Sequence, residues 1–142
     1  MAKIPTFREL DVWQVAMDLV MDCYDLTASY PLDERYGLTS QTRRSAVSIP
    51  SNVAEGHNRH ADKAYLNHVN IALGSQGELD TQLEIAVRRG YISAEKIAPA
   101  LDKLARTGQM LHGLQRSLER RTKAPASILP ALGWLVRSGL PR

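Results

Sequence analysis

The chain has 142 residues, 44% of them apolar and 23% charged, which is enough for one globular domain with its own apolar core. A single cysteine excludes an intramolecular disulfide, and no run approaches the ~20 apolar residues of a membrane span or holds a secretory h-region at the N-terminus, so a cytoplasmic protein is expected. The net charge of +3 is uneven: three basic and seven acidic residues in 1–36, nine basic and three acidic in 91–142. That asymmetry suits an electrostatic partner, either a polyanion or an acidic surface on another subunit.

The first helix is expected over about 7–29. Thr6 and Glu9 have the spacing of a capping box, with Asp11 and Gln14 as a rival start. Val12, Ala16, Leu19, Cys23 and Leu26 form its apolar stripe, with Asp11, Asp18, Asp22 and Asp25 on the other side. Pro31 ends it. The second helix spans 38–56, with Leu38, Thr42, Ala46, Ile49 and Val53 at helical spacing and Gly56-His57-Asn58 as stop and turn. The third runs over 61–89, with a seam of Tyr65, Val69, Ala72, Gln76, Leu79, Leu83 and Ala86 and Gly90 as its C-terminal stop. The fourth runs over 93–121 from Ser93 as N-cap, with Ile97, Leu101, Leu104, Gly108, Leu111, Gln115 and Leu118 facing inward. No stretch alternates with period two. The pattern gives an all-α chain, an antiparallel up-down-up-down four-helix bundle over 1–121. Residues 122–142 carry three prolines and two glycines beside Ile128, Leu129, Trp134 and Leu135, which reads as a non-helical apolar tail packed on its own bundle or on a neighbour.

Several residues are out of place for helix interiors. Pro50, in the run SAVSIPSN, removes one backbone hydrogen bond and costs about 3 kcal/mol. Either the kink wraps the second helix around the core, with Ser48 or Asn52 satisfying the freed group, or it exposes backbone to a partner. Gly74, Gly77, Gly108 and Gly113 each cost about 1 kcal/mol against alanine, and close approach of helices is the expected compensation. Glu78 and Gln82 lie one turn apart and have the reach to hydrogen-bond across a helix or subunit interface. Glu55, His57 and His60 are near in sequence but sit on a turn without cysteine, so no metal or other cofactor is expected. No nucleophile elbow, P-loop or dinucleotide turn is present, so no enzymatic activity is expected.

The basic residues are the stronger candidates. Arg43 and Arg44 lie early in the second helix, Arg59, His60 and Lys63 span the next turn, and Arg88-Arg89 and Arg120-Arg121 end the third and fourth helices. Arg88-Arg89 and Arg120-Arg121 also suit the negative end of a helix dipole. Together they are the candidate nucleic-acid-binding set; clustered aromatics for base stacking are not evident in the sequence.

The runs FRELDVWQVAMDLV, ERYGLTSQTRRSAVSIPSNVAEG and NIALGSQGELDTQLEIAVRRGY resemble the family named for proteins encoded in intervening sequences of bacterial large-subunit ribosomal RNA genes. The resemblance implies a four-helix bundle that assembles as a homopentamer around a central channel. It also implies a link to nucleic acid, since relatives include the accessory protein of diversity-generating retroelements, which joins a reverse transcriptase and RNA. The SIPSN proline then belongs to the fixed architecture of the second helix. Thr42, Gly108, the HNR turn and the tail depart from the family's pattern. The expected function is an oligomeric RNA- or DNA-backbone binder within a ribonucleoprotein; the alternative is a ring that docks a protein such as a reverse transcriptase. Asp18 and Asp22 are expected to face solvent or a basic surface of the next subunit.

Overall fold

The local sequence already decides where the first helix starts. In a computed structural model that describes the backbone of residues 6–138 and the side chains of residues 6–123, Phe7–Glu9 is a 3-10 turn and Leu10 is extended (φ −76, ψ 128). Helix α1 therefore spans Asp11–Thr27 and not 7–29. Thr6 makes no side-chain cap; Gln14 donates its amide to the Arg8 carbonyl at 2.8 Å and ties the turn to the helix. The rival start near Asp11 is the one the chain uses.

Helix α2 spans Leu38–Asn58 and runs through both Pro50 and Gly56. Gly56 is thus not a stop, and the left-handed residue of the turn is His60 (φ 56). Gly56 has another purpose. A Cβ there would lie 2.8 Å from the Tyr65 ring and 2.9 Å from the His68 Cβ, so glycine is what lets α2 and α3 approach this closely. Around Pro50 the short polar residues bond locally and across the helix pair. Asn52 Nδ2 donates to the Ser48 carbonyl (2.9 Å), Ser48 and Ser75 share a hydroxyl bond (2.7 Å), and Asn52 Oδ1 meets His68 Nδ1 at 3.0 Å. Helix α3 spans Asp62–Arg88. It ends in a Schellman motif: Gly90 is left-handed (φ 75), Tyr91 N–H donates to the Ala86 carbonyl, and Gly90 N–H to that of Val87.

Helix α4 spans Ala94–Ser138, with the Lys96 N–H donating to Ser93 Oγ at 3.1 Å. The helix does not stop near Arg121. Extending an existing helix needs no new nucleus, and the segment between Pro125 and Pro130 is built of alanine, serine, isoleucine and leucine, so the two prolines do not terminate it. The packing expected of the 122–142 side chains lies outside the described side chains.

The helices pack in the cyclic order α1, α2, α3, α4, with α4 closing on α1 and α2 against α3 the most extensive pairing. No strand occurs among the described residues, and no helix among them is long and apolar enough to cross a membrane. Leu19, Ile49, Leu79, Leu83, Leu111 and Leu118 are fully buried, each contributing about 1.5–3 kcal/mol. The expected seams of α1, α2 and α3 reach this core, with Leu26, Tyr65 and Gln76 only partly covered. Leu101 of α4 does not: it is 37% exposed, and Ala100, Leu104 and Thr107 take the inner positions. At Gly108 a Cβ would meet the Gln76 amide, the far end of a flexible side chain that donates to the Leu104 carbonyl at 3.2 Å, so the glycine makes room for that hydrogen bond. Gly74 and Gly77 do not pack against another helix among the described residues. Both are exposed, and a Cβ at either would meet nothing within 4 Å, because they sit on the outer face of α3, off its seam.

Burial, with the Asp22 charge adding to it, pushes the Cys23 thiol up to about 12, and burial followed by Cys23 pushes the Tyr30 phenol up to about 12. Both stay neutral in the fold and ionise earlier in the unfolded chain, near 9.0 and 10.0. Their contribution is complete below about pH 9 and is lost as pH rises towards 12. The urea midpoint should therefore be steady up to about pH 9 and fall above it, with the fall in Cys23→Ala beginning nearer pH 10; a flat midpoint to about pH 11 contradicts this. At neutral pH, Gly56→Ala should lower the urea midpoint through an overpacking cost of about 1–3 kcal/mol, while Gly74→Ala and Gly77→Ala should each raise it through a stability gain of about 1 kcal/mol.

Candidate functional site

The fold divides the candidate cations between the two ends of the bundle. Arg59, His60 and Lys63 lie at the α2–α3 turn, where Arg121 of α4 reaches Asp62 of α3 at 3.9 Å. Arg43, Arg44, Arg88 and Arg89 lie towards the other end, where the 28–37 connection meets the α3–α4 turn. Tyr91 locks that meeting: its hydroxyl donates to Glu34 Oε2 at 2.9 Å, and its ring lies 5.7 Å from that of Tyr30.

Three of these charges, Arg59, Arg88 and Arg121, have carboxylate partners. Arg59 pairs with Glu55 at 3.0 Å and Arg88 with Glu84 at 3.5 Å, both one helical turn away and exposed. Such pairs add little to stability, and they cancel local charge. Arg44, Arg120 and Lys63 have no ion-pair partner among the described residues. Asp22, expected to face solvent or another subunit, instead accepts from Lys103 of α4 at 2.6 Å, in a half-buried pair. Asp18 is exposed.

At the end closed by Tyr91 the chain forms a groove of about 470 Å³. Its walls carry Arg35, Arg43 and Arg44, the hydroxyl residues Thr27, Thr39 and Ser40, and Tyr30 and Tyr36; no carboxylate lines it. Arg43 is held in place. Its Nε donates to Thr27 Oγ1 at 2.8 Å, and its guanidinium lies 4.6 Å from the centre of the Tyr24 ring, a cation–π contact. Arg35 lies 6.0 Å from the Tyr36 ring centre. Tyr36 is 89% exposed and Leu32 85%. Tyr30 is the reverse, 7% exposed, and its hydroxyl has no partner among the described residues. Glu34, the neighbouring carboxylate, accepts from Tyr91 and from the Leu38 N–H.

The sequence points to Arg43 and Arg44 but misses Arg35 and the tyrosines. Tyr24, Tyr30 and Tyr36 recur every six residues on both sides of the Pro31 break, which is the one signal available. Nothing in the spacing says that Tyr91 joins them. Four of the five tyrosines therefore gather at one end, so the aromatics that look scattered along the chain are clustered in space.

A second, smaller groove of about 360 Å³ lies between α2 and α3, lined by Gln41, Arg44, Ser48, Ser75, Glu78 and Gln82 among others. Glu78 is exposed, and the buried Gln82 Oε1 has no partner among the described residues. Neither makes the cross-helix hydrogen bond that their spacing suggests within this chain. At the opposite end, His57 and His60 have ring centres 6.4 Å apart, but no group of three His, Cys, Asp or Glu among the described residues is arranged to hold a metal ion.

No curated protein matches the chain at a significant level. Among solved structures, the chain is similar to a protein of unknown function from the S23 ribosomal protein family of Bacteroides thetaiotaomicron VPI-5482. The identity is 22% over 73% of this chain and 97% of that one, with a TM-score of 0.67, a likeness that concerns the fold. Residues 8–113 match the family described as 23S rRNA-intervening sequence protein. That match covers helices α1 to α3 and the first half of α4, including the whole cationic groove, and the chain belongs to the 23S rRNA-intervening sequence protein family.

Proposed function

We propose that this protein is a non-enzymatic nucleic-acid-binding protein that holds the phosphate backbone of RNA or DNA and acts as an accessory within a ribonucleoprotein. The observation that carries this reading is the groove lined by Arg35, Arg43 and Arg44 with no carboxylate on its walls. A family described by an rRNA intervening sequence supports it. Guanidinium groups suit phosphate because they donate in a fixed fork, and Thr39 and Ser40 add neutral donors.

One copy carries a net charge of only +3. In the reading proposed here the chain works as an up-down-up-down bundle assembled into a homopentamer, as its resemblance implies. Five copies then present about five such grooves to one polyanion, and repeated weak contacts bind tightly through effective concentration. Arg120, Arg121, Arg59 and Lys63 supply further contacts at the opposite end.

A second reading, a ring that docks a protein partner such as a reverse transcriptase, is favoured by one observation. Ile71, Gly74 and Glu78 share a face of α3 left open by the described residues, with Ile71 46% exposed.

Titration of a labelled oligonucleotide against salt, read by anisotropy, tests the first reading. Affinity should fall linearly on a log–log plot, and Arg44→Ala should weaken RNA and DNA of any sequence alike while reducing the slope by about 1. Absence of binding at low salt, beside a tight protein partner, decides for the docking ring.

A further inference from the structure

We infer that the groove at the Tyr91 end takes one unpaired nucleotide, its base stacked on Tyr36 and its phosphate among Arg35, Arg43 and Arg44, so that the protein selects single strands over duplex. This rests on the nucleic-acid reading above and goes beyond it, because backbone charge alone does not distinguish an unpaired strand in this way.

The argument starts from Tyr36. An aromatic ring that is 89% exposed has no part in the core, and the nearest cation, Arg35, lies 6.0 Å from its centre. A free ring beside several guanidinium groups is the pairing that holds single strands: every base has a face to stack, and every nucleotide has a phosphate to neutralise. A base inside a duplex is stacked on its neighbours and offers Tyr36 no face. The volume of about 470 Å³ falls in the range of small-ligand sites, roughly 300–1,000 Å³.

The walls beside Tyr36 agree in chemistry. Arg43 is fixed by Thr27 and Tyr24 and so costs little ordering on binding, and Thr39 presents a further hydroxyl.

The test uses the full chain with a fluorescent twelve-nucleotide oligouridylate and oligoadenylate, and with an RNA duplex of the same length, at matched salt. The single strands should bind more tightly than the duplex. Tyr36→Ala should weaken single-strand binding by about 5- to 150-fold with the salt slope and the duplex affinity unchanged, and Tyr36→Phe should restore most of it. Arg120→Ala, at the far end, serves as the electrostatic control and should lower single-strand and duplex binding equally. Equal affinity for both forms, an unchanged affinity in Tyr36→Ala, or competition by polyglutamate as strong as by the oligonucleotide overturns the stacking site and leaves backbone binding standing. Failure of every oligonucleotide to bind at low salt overturns both.

Discussion

The close seating of α2 on α3 is the constraint on which the rest depends. It requires Gly56, because any Cβ there would run into Tyr65 and His68. It is also the place where the chain accepts a proline inside a helix. Pro50 is buried, and Ser48, Asn52, Ser75 and His68 form a polar bridge beside it that joins the two helices. A polar network of this kind specifies one register, since a slip by one residue would leave several buried groups unpaired. With that register fixed, Arg43 and Arg44 are carried to one end of α2 and Arg59 to the other. The odd sequence SIPSNVAEG is therefore architecture that positions charge.

The seams could be read in advance because burial writes itself into a helix as a period of three and four. Val12, Leu19, Ile49, Val53, Leu79, Leu83, Leu104 and Leu111 all obey it and all reach the core. The misreadings share a cause: a local rule was outvoted by context. Thr6 and Glu9 have the spacing of a cap, but Leu10 turns extended and the helix begins after it. Gly56 looks like a stop, yet it serves packing, and His60 makes the turn. Pro125 and Pro130 look like terminators, yet a helix already formed by α4 continues past them. Gly74 and Gly77 look like packing sites, yet they lie on the outside of α3.

The groove was half legible. Arg43-Arg44 stand out as a pair, and their role as cations needs no fold. Arg35 and Tyr36 do not stand out, because they lie in a connection where no periodicity applies. Tyr91 joins this end by reaching Glu34, 57 residues earlier in the chain, which sets the α3–α4 turn against the 28–37 connection. Long-range contacts of this kind leave no mark in local spacing. The same fold also removes cations from consideration: Arg59 and Arg88 lie beside glutamates one turn away, and Lys103 is held by Asp22. Among the described arginines without a carboxylate partner, three, Arg35, Arg43 and Arg44, lie around one groove beside an exposed tyrosine.

The most direct test of this account is photochemical. Irradiating the intact protein with bound single-stranded RNA and mapping the crosslinked tryptic peptides reports which ring touches a base. The account predicts crosslinks concentrated in the peptide 36–43, which begins with Tyr36 and ends with Arg43. Crosslinks confined to peptides around the α2–α3 turn, with none in 36–43, would contradict it.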